Sequence, residues 1–371
     1  MRVLTVIGTR PEAIKMMPVL RALKARGDAI ESALCVTAQH RELLDQVLTP
    51  FALVPDYDLD VMKPGQSLNA LMRTILERLD PVLESFTPDV VLVHGDTTTT
   101  LAAALAAFYR GARVAHVEAG LRSGDLMRPW PEEMNRRCVD QFASWLFAPT
   151  QNARRNLLAA GVADDQIVVT GNTAIDALHV AVGEIETRAE LRAACEKELA
   201  FLDPRKRLIL VTGHRRESFG DGIERICAAL LRLASRGDVE IVYPIHPNPN
   251  VRDPVRRLLG AQAEIHLVAP MDYLPFVALM ARAHVIITDS GGIQEEAPSL
   301  KKPLLVTRER TERPEIVETG QALLVGSDEA RIVAEAERLL DDAAHYEAMT
   351  RGDNPFGDGR AAERIVAALL G

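Results

Sequence analysis

At 371 residues the chain has room for about two domains of ordinary size. Hydrophobic residues at 47% supply a full core, and 26% charged residues do not make a disordered tail. Lys and Arg number 43 against 52 Asp and Glu, a net charge of −9, which argues against sequence-independent nucleic-acid binding and leaves room for a local basic site that takes a small anion.

The first apolar run, RVLTVI from Arg2, meets Gly8-Thr9-Arg10-Pro11 within a few residues, so it reads as a buried strand and not as a secretory leader. Strand-like runs then recur along the chain: ESALCV, DVVLVHG, RVAHVE, WLFAPT, QIVVTGN, RLILVTGH, VEIVYPIH, AEIHLVA, HVIITDS, KPLLVT and QALLVG. They are near-continuously apolar, the mark of parallel strands buried on both faces. Helical spacing fills the intervals, as in PEAIKMMPVLRALKAR and TTTTLAAALAAFYRG, with Pro11 suited to a first turn and Gly27 and Gly111 to helix ends. The longest apolar stretch, Leu101 to Phe108, is far short of the ~20 residues a membrane span needs. Cys35, Cys138, Cys195 and Cys227 form no CxxC pair, which favours a reducing compartment. A cytoplasmic protein is expected.

Repeated β-α units predict a doubly wound α/β architecture, and twelve strands exceed one ordinary open sheet. The pattern breaks after QIVVTGN, where a helix and a strongly charged stretch precede the fresh strand RLILVTGH. The expected division is residues 1–170 and 171–356, with the final helix, 357–371, free to pack on either half and placed with the first. Two Rossmann-like doubly wound domains would then face a central cleft, with ligands at the carboxyl ends of their strands.

Four segments carry chemistry. GTRPEAIK follows a strand and opens a helix, with Arg10 and Lys15 adding positive charge; its alternative is an ordinary β-α turn. TDSGGIQEEAPS places Ser290, Gly291 and Gly292 at a helix start suited to a phosphate, with Glu296 one turn on and Arg313 of TERPE to neutralise a second oxygen. A tight turn with a capping Ser is the plainer reading. An acid-rich set comprises Asp96 at a strand end, Glu118 two residues after His116, and Glu132 and Glu133 at a helix start. Asp96 as a helix cap and Glu133 as a dipole-balancing carboxylate are the structural alternatives, but several carboxylates at neighbouring strand ends fit general acid/base work. His214, at a strand end and followed by Arg215 and Arg216, reads as a donor to a phosphate or leaving group; His246 is placed similarly. No P-loop or HExxH occurs, GDGRAA at Gly357 follows no strand, and Asp58-Leu-Asp60 reads as two solvated acids. Neither a metal nor a nicotinamide cofactor is expected.

Together GTRPEAIKM, TAQHR, VHGDTTTT, HVEAGLRS, PEEMNRR, TGHRRES, YPIHPNP, TDSGGIQEEAPSL and TERPE resemble the bacterial non-hydrolysing UDP-N-acetylglucosamine 2-epimerases, in the family's order from Gly8 to about Gly326. The resemblance implies a glycosyltransferase-B fold, a cofactor-free isomerase commonly working as a homodimer in polysaccharide precursor synthesis, and interconversion of UDP-GlcNAc and UDP-ManNAc through 2-acetamidoglucal and UDP. By matching motif it makes Asp96, Glu118 and Glu132 acid/base residues and His214 the group assisting the leaving diphosphate. Ser290, Gly291, Gly292 and Arg313 would hold phosphates, Glu296 the ribose and Phe276 the uracil region. An activator site seen in some relatives maps to Gln39, Gln66, Arg215 and His246, although Glu42 and Gly65 stand where some of those relatives have Gln and Arg; in the uracil region, Met271 stands where many relatives have Gln. Competing readings are an epimerase of a related sugar such as UDP-2,3-diacetamido-2,3-dideoxyglucuronate, a glycosyltransferase, and a nucleotide-sugar binding protein. Neither nucleic acid nor membrane insertion is expected among its partners.

Overall fold

The apolar runs become two parallel sheets. In the computed structural model, which describes residues 1–37, 44, 47–63, 65–215 and 219–371, the first sheet comprises β1 (Arg2–Ile7), β2 (Glu31–Val36), β3 (Tyr57–Asp58), β4 (Val90–His94), β5 (Arg113–Val117), β6 (Trp145–Ala148) and β7 (Ile167–Val169). Their order is β3-β2-β1-β4-β5-β6-β7, and every pairing is parallel. The second sheet comprises β8 (Arg207–Thr212), β9 (Val239–Pro244), β10 (Ile265–Val268), β11 (Val285–Thr288), β12 (Leu304–Val306) and β13 (Ala322–Leu324), in the order β10-β9-β8-β11-β12-β13. It too is parallel throughout. All twelve expected strands form. The thirteenth, β3, is a two-residue edge strand whose Tyr-Asp sequence carries no apolar run.

The chain divides into two compact units, Met1–Ala177 with Phe356–Gly371, and Leu178–Pro355. Each is a doubly wound Rossmann-like domain with its own core. In the first, Val91, Val93 and Leu146 of the sheet pack against Leu71, Ile75, Leu79 and the alanine-rich helix Thr98–Tyr109. Alanines let that helix lie close to the strands, and nine of its residues are buried. In the second, Ile209, Ile241 and Ile287 meet Leu230, Leu233, Val255 and Ile332 from flanking helices. The final helix, Ala361–Leu370, packs on Arg10–Lys24 of the first unit. Its free N–H groups are taken by a buried carboxylate: Ala361 N and Ala362 N donate to Asp176 at 3.2 and 2.8 Å.

Strand order reverses between β1 and β4 in one sheet, and between β8 and β11 in the other. The loops leaving the carboxyl ends of those strands are where open α/β sheets bind ligands. They carry Gly8 to Arg10, Gly95 to Asp96, Gly213 to Arg215, and Asp289 to Gly292. Among the described residues no helix is long and apolar enough to cross a membrane, and no cluster of three or more His, Cys, Asp or Glu could hold a metal.

Candidate active site

In the first unit the GTRPE turn is built around a buried carboxylate. Glu12 is 2% exposed. Its Oε2 accepts from Gly8 N at 2.9 Å and Thr9 N at 2.6 Å, and its Oε1 from the Thr97 hydroxyl at 2.7 Å. Thr9 and Glu12 form a capping box, so the start of helix Arg10–Lys24 is pinned to the start of helix Thr98–Tyr109. Gly8 does not leave space open for a ligand. A Cβ there would overlap the hydroxyls of Thr99 and Thr37, so glycine is needed for close packing of the protein itself. Arg10 opens the helix, partly exposed, beyond this braced turn.

The carboxylates gather at the ends of β4 and β5. Glu118 follows β5 with φ +65, a left-handed conformation that strains any residue but glycine. It pairs with Lys15, and its Oε2 lies 3.8 Å from His94 Nε2. Burial, with the Lys15 and His116 charges adding to it and Glu118 opposing, holds the His94 imidazole at about 4, so the ring is neutral. Asp96 is not the helix cap. Thr97 fills that position, its hydroxyl accepting from Thr100 N at 3.2 Å. Asp96 instead pairs with Arg136 at 2.6 Å, while its carbonyl accepts from Asn135 Nδ2 at 2.9 Å. Burial raises the Asp96 carboxyl above its usual range; Arg136 opposes this, and Glu118 and Glu132 add to it.

Glu132 and Glu133 begin the helix Glu132–Asp140 and part in role. Glu133 is fully buried and structural: it accepts from Ser123 N at 3.0 Å and lies 3.5 Å from Arg136. Glu132 keeps a buried Oε2 without a hydrogen-bond partner among the described residues. Asp96, Glu118 and Glu132 thus form one electrostatic cluster with Lys15 and Arg136. A carboxyl raised mainly by burial, beside a second carboxylate paired to a cation, is an arrangement suited to moving a proton between groups. Sequence reasoning missed Arg136 and His94. Arg136 was legible as the residue one helical turn after Glu132; nothing in VHGDTTTT marks His94 as facing Glu118.

In the second unit Asp289 organises the loop after β8. It is 1% exposed, and its Oδ2 accepts from His214 N at 2.7 Å and Arg215 N at 2.8 Å. Its Oδ1 lies 3.3 Å from His214 Nδ1, and the His214 ring stacks on His246 with centroids 5.5 Å apart. Burial lowers the His214 imidazole below its usual value, with Arg215 and His246 adding to this and Asp289 opposing. Ser290 precedes a helix of only six residues, Gly291–Glu296, and its hydroxyl makes no capping bond to it. Arg313 is held against this turn: its Nε donates to the buried Glu295 at 2.6 Å, and its guanidinium lies beside Gly291. Glu296 is partly buried near the Tyr273 hydroxyl, and Phe276 sits on the same helix as Tyr273, partly exposed. Of the residues mapped to an activator, Gln39 lies outside the described residues. Gln66 is in the first unit, its amide 3.6 Å from Met62 Sδ. Arg215 and His246 stand beside His214 in the second.

A family model described as UDP-N-acetylglucosamine 2-epimerase matches residues 21–370. A Yersinia pestis protein of that name is 58% identical over 370 residues, which cover 100% of this chain and 98% of its own. The chain belongs to the UDP-N-acetylglucosamine 2-epimerase family. Within that family, the UDP-GlcNAc 2-epimerase from Neisseria meningitidis, solved bound to UDP-GlcNAc, superimposes with a TM-score of 0.90 at 49% identity, covering 100% of both chains. The enzyme from Methanocaldococcus jannaschii, solved with UDP-GlcNAc and UDP, matches at 0.79 and 35% identity, covering 100% of this chain and 99% of that one. Membership makes the chain an isomerase of the epimerase type and accounts for two Rossmann-like domains each offering a strand-end site.

Proposed function

We propose that the chain interconverts UDP-GlcNAc and UDP-ManNAc by eliminating UDP and adding it back. The observation that carries this is the grouping of Asp96, Glu118 and Glu132 with Lys15 and Arg136. The C2 hydrogen of the sugar is weakly acidic, so its removal is coupled to loss of the diphosphate. One carboxylate takes the C2 proton. The C2–H electrons become the C1=C2 bond, and the C1–O electrons leave with UDP. UDP then returns to C1 of the 2-acetamidoglucal, and a second carboxylate delivers a proton to the other face of C2. His214, steadied by Asp289, assists the diphosphate. Arg10, Ser290, Gly291, Gly292 and Arg313 bind phosphate oxygens, Glu296 the ribose and Phe276 the uracil side. Domain roles follow: acid/base groups and Arg10 in the first, the other nucleotide-binding groups in the second. We also propose a cytoplasmic homodimer, supported by exposed apolar side chains on two neighbouring helices of the first unit.

The test is incubation with UDP-GlcNAc in deuterated water without added cofactor. Both recovered UDP-sugars should carry deuterium at C2, and Asp96→Asn or Glu118→Gln should slow kcat by about 10²-fold or more. An epimerised product retaining its original C2 hydrogen would sink the elimination route. Turnover of the diacetamido-glucuronate but not of UDP-GlcNAc would move the substrate to that related sugar.

A further inference from the structure

Behind the acid cluster lies a buried ion pair that the proposed chemistry leaves unused. His116, on β5, is 0% exposed. Its Nδ1 lies 2.8 Å from Asp140 Oδ1 and its Nε2 lies 2.7 Å from the Gly95 carbonyl oxygen. A carbonyl can only accept. Asp140 also pairs with the Arg122 guanidinium, 2.6 Å from its Oδ2, and that cation keeps it ionised. Burial acts to raise the Asp140 carboxyl, but His116 and Arg122 together outweigh it and hold it below its usual range. Both partners of the ring are therefore acceptors, both ring nitrogens donate, and the ring carries a charge.

What this ring joins matters more than the pair itself. Gly95 immediately precedes Asp96 and has φ +69, so this peptide is set in a conformation that a side chain would resist. Asp140 ends the helix that Glu132 begins, and Asn135 and Arg136 of that helix hold the Asp96 carbonyl and carboxylate. Two residues beyond His116 stands Glu118, and Gly95 N donates to Val117 O at 2.9 Å. The ring thus ties the Asp96 turn, the Glu132 helix and the strand leading to Glu118.

We propose that His116 is the positioning residue of the acid cluster: its doubly protonated ring, clamped between Asp140 and the Gly95 carbonyl, sets the separation of Asp96, Glu118 and Glu132. It touches no reacting atom and acts only through the groups it places. The proposal rests on the acid/base reading above. A glutamine at this position can reach one acceptor but not span both. Displacing a reacting group by about 1 Å costs on the order of 10²-fold in rate.

His116→Gln should therefore bind UDP-GlcNAc with KM within about 3-fold of the parent while kcat, and C2 deuterium exchange with it, fall about 10²-fold. Asp140→Asn should show the same split. A folded His116→Gln protein with parental kcat overturns the proposal, as does a loss confined to KM. Should the variants fail to fold, nitrogen-15 NMR of histidine-labelled parent protein decides: one ring protected from solvent should show protons on both nitrogens, and finding none overturns the proposal. A parent protein that turns over no UDP-sugar defeats the acid/base reading instead, while the ring protonation is read independently of any substrate.

Discussion

Glu12 shows how one buried carboxylate supports a binding turn. Glu12→Ala strands the N–H groups of Gly8 and Thr9, each an unsatisfied donor worth about 1–3 kcal/mol, so a loss of about 2–6 kcal/mol is expected. Glu12→Gln keeps an oxygen for those donors and can turn its amide to the threonine hydroxyls, so it should cost less than about 1.5 kcal/mol. The two also separate by pH. Burial, against the hydrogen bonds from Thr97, Gly8 and Thr9, raises the Glu12 carboxyl above its ordinary value of 4.5. A carboxyl raised in the folded state contributes stability that is complete below the unfolded value and lost as pH rises through the folded one. Urea melts from pH 4.5 to 7.5 should therefore show Glu12→Gln gaining on the parent as pH rises; a gap that narrows would contradict this. Asp96 and Glu118 were legible in the sequence because they stand at strand ends, and Glu132 because it follows Pro131 at a helix start. Their cations were less so, since Arg136 reaches Asp96 across forty residues of chain, and the left-handed Glu118 carries no sequence mark at all.

Helices Thr98–Tyr109 and Glu132–Asp140 pack on each other, and each carries large apolar side chains exposed to solvent. Tyr109 is 77% exposed and Phe108 54%, with Met134 and Trp130 also exposed, and Phe108 packs edge-on against Phe142 at 5.4 Å. Aromatic side chains grouped on a soluble surface mark an interaction site. A second copy can cover such a face isologously, each chain giving the same patch. Light scattering should read twice the chain mass of 40.7 kDa, and Phe108→Glu with Tyr109→Glu should return it to one. A parent that scatters as a single chain at micromolar concentration would rule the pairing out. Strands and helices were readable in order because apolar runs and helical periodicity are local signals. The edge strand β3 was not, because two residues beside a formed sheet need no pattern of their own.

The first unit closes only with the far end of the chain. No periodicity in AAERIVAALL states which half it serves; a single distant carboxylate does. Asp176 accepts from the first N–H groups of this helix, and Arg364 donates to the Thr170 carbonyl at 2.9 Å. Ile365, Val366 and Leu369 are buried beneath it. Burying three such side chains is worth about 1.5–3 kcal/mol each, and net stabilities of whole domains are only about 5–15 kcal/mol. Ending the chain at Pro355 removes all three and takes both N–H donors from Asp176, so the loss rivals everything the unit has to spare. The second unit, Leu178–Pro355, keeps every residue of its core in the shortened chain. Calorimetry should therefore show a transition for the second unit surviving while that of the first is lost or falls far in temperature, with protease cutting first between Met1 and Ala177. Asp176→Ala, which strands the helix start but keeps the apolar face, should cost about 1–3 kcal/mol. If truncation left both transitions in place, the last helix would be an appendage and the first unit would stand on residues 1–177 alone.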